Sequence, residues 1–118
     1  MVEWVYENGK LVGIKVGFHE WAWSRRTSGY PVWAIRRGAI HPGEWVDVGY
    51  TEKGVTYYPL PEDTIAVVRY YCSNRGYKTY FVYIPGRSEE FAIDEKNNFE
   101  IPSELPEEVK AALRAKLG

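Results

Sequence analysis

The sequence predicts a mainly β protein: an antiparallel sheet, small barrel or sandwich of about seven to nine short strands, with one C-terminal α-helix. Three observations carry that expectation. Short runs rich in Val, Ile, Tyr, Phe and Trp recur along the chain, and Gly, Pro, Asn or Asp bounds each of them. Asn8-Gly9 and Asn74-Arg75-Gly76 are hairpin turn signals. Only the last segment has a helical period. With 118 residues, the chain is expected to form a single β-rich domain over 1–118, its helix covering about 106–117.

The first element is a hairpin. Val2, Trp4 and Tyr6 alternate with Glu3, Val5 and Glu7. A two-residue loop at Asn8-Gly9 pairs Glu7 with Lys10, Tyr6 with Leu11 and Val5 with Val12. It sets the Trp4 ring across from Gly13, which has no side chain. The second strand runs through Ile14 and Val16 to about Phe18. Residues 19–31 hold no sustained period and contain Thr27-Ser28-Gly29 and Pro31, so they read as a long loop or a broken strand.

Val32 to Arg37 reads as a strand, with Trp33, Ile35 and Arg37 on one face and Val32, Ala34 and Arg36 on the other. Gly38 to Glu44 is a turn. Trp45 to Thr51 alternates as one strand, Glu52-Lys53-Gly54 turns, and Val55 to Tyr58 is a short strand ended by Pro59 and Pro61. The next hairpin is the most regular. Ile65 to Ser73 and Tyr77 to Ile84 flank Asn74-Arg75-Gly76, and a type I turn with Gly76 left-handed pairs Ser73 with Tyr77. Tyr71 then faces Thr79, Arg69 faces Phe81 and Val67 faces Tyr83. Ala66, Val68, Tyr70, Cys72, Tyr80, Val82 and Ile84 share the opposite face, which reads as core. The face with Arg69 reads as half exposed.

Pro85-Gly86 turns, Glu89 to Asp94 is a strand, Glu95 to Asn98 turns, and Phe99 to Ile101 is a short strand. Pro106 suits the first turn of the final helix. Glu107 and Glu108 sit at its positive end, with Lys110, Arg114 and Lys116 toward its negative end. Leu105, Val109, Ala112, Leu113 and Leu117 form the apolar stripe that packs on the sheet.

Composition narrows the classes. A single cysteine, Cys72, excludes an intramolecular disulfide and fits a reducing compartment. No apolar run approaches the length of a membrane span, and the first residues carry charges that a signal peptide lacks. The expectation is a cytoplasmic protein with no membrane partner. Gln is absent while Glu, Lys, Arg and Pro are plentiful, a thermophile-like composition. Residues 1–87 carry eleven Lys/Arg against eight Asp/Glu, and residues 88–118 four against eight. The body is mildly basic and the tail acidic.

The stretch from Trp21 to His41 stands apart. It holds three of the five tryptophans and two arginine pairs, and no acidic residue. Rings beside guanidinium groups suit a partner that is anionic and has π-faces, the chemistry of single-stranded DNA or RNA. The candidate binding residues are Trp21, Trp23, Arg25, Arg26, Tyr30, Trp33, Arg36 and Arg37, with rings stacking on bases and arginines neutralising phosphates. A second candidate surface is the sheet face carrying Arg69, Tyr71, Phe81 and Tyr83, since aromatics on neighbouring strands stack bases in several single-strand readers. The competing reading places some of these rings in the core under their arginine neighbours, and the second face under another layer.

Two alternatives come from other classes. An exposed aromatic patch would serve a protein-interaction module, self-associating or with another chain, because Trp, Tyr and Arg are enriched at interface hot spots. His19 and His41 would serve as the acid and base of a small metal-free nuclease or phosphodiesterase. No metal and no cofactor is expected: one cysteine builds no thiolate site, and P-loop, Rossmann and G-x-S-x-G signatures are absent. The preferred reading is a single-stranded nucleic-acid-binding protein, with the interaction module and the nuclease kept as alternatives.

Overall fold

A computed structural model describes residues 2–17, 32–38, 44–46, 50–52, 54–73 and 75–117. Their strands are β1 (Val2–Glu7), β2 (Lys10–Gly17), β3 (Val32–Arg36), β4 (Glu44–Trp45), β5 (Tyr50–Glu52), β6 (Val55–Pro59), β7 (Thr64–Cys72), β8 (Lys78–Tyr83) and β9 (Phe91–Asp94), followed by the helix α1 (Glu107–Leu117). The first sheet has the order β1-β2-β6-β5 and the second β4-β3-β7-β8-β9, and every pairing is antiparallel. No closed barrel forms among the described residues. The fold is a small sandwich with a helix.

Period-two alternation explains the layers. Ile14, Val16 and Tyr58 of the first sheet meet Val32, Ala34, Val67 and Tyr83 of the second in one core cluster. The opposite side chains of the second sheet, Ile35, Ala66, Val68, Val82 and Ile93, form another cluster with Leu105, Val109 and Leu113 of the helical segment. The second sheet is therefore buried on both faces, between a sheet and a helix. That arrangement agrees with the competing reading, in which the face with Arg69 lies under another layer, and corrects its use as an exposed binding surface. Arg69 is 2% exposed and Tyr83 1%, because the first sheet lies over them.

Turn chemistry sets the registers as expected. Asn8 and Gly9 both have positive φ, as a two-residue hairpin loop requires. Gly76 is left-handed at φ +82°. Beside it the Ser73 amide donates to the Tyr77 carbonyl at 2.8 Å, and the β7–β8 pairs are those counted from the turn. The first hairpin departs from expectation after two pairs. A bulge between Val5 and Tyr6 shifts the register, so Val5 meets Gly13 and Trp4 meets Ile14. The ring over Gly13 belongs to Tyr57 of β6. The Val12 carbonyl, on the β6 side of β2, accepts from the Leu60 amide at 2.9 Å and from the Tyr57 hydroxyl at 3.2 Å.

Two other segments differ. The strand expected over 45–51 is two elements in different sheets: β4 pairs with β3, and β5 with β6. The strand expected at Phe99 is a turn. Asp94 caps a 3-10 turn at Glu95–Asn97 through Asn97 N–H, and Asn98 and Phe99 follow at φ 54° and 58°. α1 begins one residue after Pro106, and its stripe is buried at Val109 and Leu113. No helix among the described residues is long and apolar enough to cross a membrane.

Candidate functional site

On the helix-facing side of the second sheet, burial falls off along β7. Ala66 and Val68 are fully buried, while Tyr70 and Cys72 are half-buried. The opposite side of the same strand stays closed at Val67 and Arg69. A strand spans about 3.3 Å per residue, and α1 covers only part of that length. Its last turn stops beside Trp33, and the sheet continues beyond it.

Three rings fill that step. Register places Trp33 opposite Val68, Val68 opposite Val82, and Tyr70 opposite Tyr80. Trp33, Tyr70 and Tyr80 thus stand on one face of three adjacent strands. Ring centroids are 6.5 Å apart for Trp33–Tyr70, 6.5 Å for Trp33–Tyr80 and 5.1 Å for Tyr70–Tyr80, with tilted planes. These are ordinary separations for interacting aromatics. Phe99 meets the edge of Tyr80 at 6.2 Å, and its left-handed backbone holds it there. All four rings are half-buried, so each keeps some surface toward solvent. We call this group the shelf.

Charges border the shelf. The Lys116 ammonium sits 3.4 Å from the centroid of Trp33, inside the range of a cation–π contact. Loss of water holds its pKa below the usual lysine value. Lys78 pairs with Cys72 at the far end of β7 and is exposed. Desolvation raises the hydroxyl pKa of Tyr70, with a hydrogen bond to Cys72 and the charge of Glu95 adding to it. Desolvation alone raises that of Tyr80. Both therefore stay neutral at physiological pH, and Glu95 marks the side of the shelf least suited to an anion.

The predicted binding residues divide into four groups. Trp33 is part of the shelf. Arg36 and Arg37 lie at the opposite end of the sheet, where Arg36 pairs with Thr64, about 20 Å along β7 from Tyr70. Arg36 Nε donates to the Glu62 carbonyl at 2.9 Å, and Arg37 Nη1 bridges to Glu108 at 3.4 Å across the helix start. Arg69, Phe81 and Tyr83 face the first sheet, with Phe81 half-buried against the cluster between the sheets. Arg69 donates to the Tyr83 hydroxyl, which donates to Glu90 Oε2 at 2.6 Å. That chain leads a buried charge toward the surface, and a guanidinium 2% exposed has no room to contact phosphate. Trp21, Trp23, Arg25, Arg26 and Tyr30, with His19 and His41 of the nuclease alternative, lie outside the described residues, as does the side chain of Tyr71.

Tyr70, Tyr80, Phe99 and Lys116 were not among the predicted site residues. The hairpin register already places Tyr70 and Tyr80 on one face, but that face reads as core because its other members are apolar. The sign of exposure is the length of the helix against the length of the strands, a comparison available only once the two are packed. Among the described residues no group of three or more His, Cys, Asp and Glu is placed to hold a metal ion. Comparison with protein-family models, with curated proteins and with solved structures found no match. Fold alone assigns no activity, so the functional reading rests on the shelf and its chemistry.

Proposed function

We propose that the protein binds single-stranded nucleic acid by stacking bases on Trp33, Tyr70 and Tyr80, with Lys116 and Lys78 meeting phosphates. The observation that carries this reading is the shelf itself: three rings on three adjacent strands, on one sheet face, at the edge of the covering helix. Sheets bearing such rings stack unpaired bases, and stacking tolerates any base because each has a π-face. The sequence adds support. Trp21, Trp23, Arg25, Arg26 and Tyr30 precede Trp33 in the sequence, with no acidic residue among them. The reading requires no metal and no cofactor.

The test is intrinsic tryptophan fluorescence titrated with a short mixed-sequence single strand at low and at high salt. Saturable quenching that weakens with salt is expected, since each released phosphate counterion contributes to the salt slope. Tyr70→Ala removes a half-exposed ring outside the core cluster and is expected to weaken binding by about 5- to 150-fold, the equivalent of roughly 1–3 kcal/mol per stacked base. Tyr70→Phe keeps the ring and is expected to bind as the parent does. Absence of quenching at low salt, with the protein folded, rejects the reading. Binding of a protein partner that ignores salt and still depends on Tyr70 would assign the shelf to an interaction module instead.

A further inference from the structure

We infer that Lys116 is a displaceable cap on the Trp33 ring, and that the site consequently takes nucleotides in preference to bare bases or nucleosides. The inference rests on the nucleic-acid reading of the shelf. At 3.4 Å from the centroid, the ammonium covers one face of the ring, the face we assign to a stacked base. A base reaches that face only after the lysine leaves it. The lysine is built to leave: it is the penultimate residue of α1, in a turn whose carbonyls lack helical partners and which frays readily. Its four-carbon stem is flexible and its head carries three donors.

Where the head goes decides what binds. Its contact among the described residues is the Trp33 ring, and it forms no ion pair with any of them. A ligand with a ring but no phosphate pushes the ammonium into water and loses the cation–π contact, at a cost on the order of 2- to 30-fold in affinity. A nucleotide offers a phosphate within reach of the displaced head, so the lost contact is replaced by a charge-assisted hydrogen bond. The same lysine then opposes the nucleoside and favours the nucleotide. Lys116 is in this sense a specificity residue. It touches the ligand at the phosphate and leaves stacking to the rings.

The experiment compares adenosine with adenosine 5′-monophosphate on the full chain at low salt, following the Trp33 indole N–H by NMR, assigned through Trp33→Phe. The parent is expected to bind the monophosphate more tightly. Lys116→Ala is expected to tighten adenosine by about 2- to 30-fold and to weaken the monophosphate, so that the preference disappears. Lys116→Arg, which keeps the charge, retains the preference. An adenosine affinity that falls or stays unchanged in Lys116→Ala overturns the cap, as does a preference that survives in that variant. If a single strand is bound salt-dependently while Trp33→Phe and Lys116→Ala change nothing, the nucleic-acid reading stands on other residues and the cap is rejected. If neither strand nor nucleotide shifts any signal, both fall together.

Discussion

Gly13 shows how one missing side chain organises a sheet. A Cβ built there collides with Cε1, Cζ and the hydroxyl of Tyr57, so the ring packs over β2 only because the position is bare. The Tyr57 hydroxyl then reaches the Val12 carbonyl. Gly13→Ala is expected to cost about 1–3 kcal/mol by overpacking, read as a lower urea midpoint with an unchanged slope. Adding Tyr57→Ala should recover part of that loss, a coupling that a double-mutant cycle measures. The need for a ring over this glycine is legible in the sequence, but counting from the turn gives the ring as Trp4. A bulge shifts the register by one, and every side chain downstream changes its partner.

At the scale of elements, α1 both stabilises the sheet and limits how much of it is covered. Eleven residues are too few to be helical alone in water, so packing supplies the stability. Leu113, fully buried, anchors the last turns beside Trp33 and Lys116. Leu113→Ala is expected to cost about 2–5 kcal/mol, measured by urea unfolding. The helix was readable because its signals are local: Pro106, the acidic first turn and the stripe. The β7–β8 hairpin was readable for the same reason, since Gly76 sets a register that then propagates by counting. Residues 45–51 alternate as one strand would, whereas β4 and β5, which take up the two ends, pair in different sheets. Nothing within a strand states which neighbour it will find.

At the scale of the whole molecule, the interior between the sheets holds polar groups from both. Tyr58 comes from β6, Arg69 from β7 and Tyr83 from β8. Burial raises the hydroxyl pKa of Tyr58 and Tyr83, while the Arg69 charge opposes that rise in each. Their folded values exceed the unfolded value of 10.0. Below pH 10 both states hold these protons, and the contribution to stability is fully present. As pH rises through 10 the unfolded chain releases them first, and stability is lost until the folded pKa is passed. Urea midpoints are therefore expected to hold level up to about pH 9.5 and to fall above pH 10. Tyr83→Phe should lower the midpoint at neutral pH, through loss of the Arg69 and Glu90 hydrogen bonds, and should make the alkaline fall shallower.

By itself the sequence determined the β class, both hairpin turns, the C-terminal helix and its buried stripe, because each follows from backbone preferences and side-chain periods within a few residues. It also singled out Trp33, the one predicted ring that the described residues place on the shelf. Only the tertiary structure decided which sheet each strand joins and that the second sheet is covered on both sides. It sent Arg69 and Tyr83 inward and left Tyr70 and Tyr80 at the step beyond the helix. Those outcomes depend on pairing between distant strands and on the length of one element measured against another, and a period along the chain encodes neither.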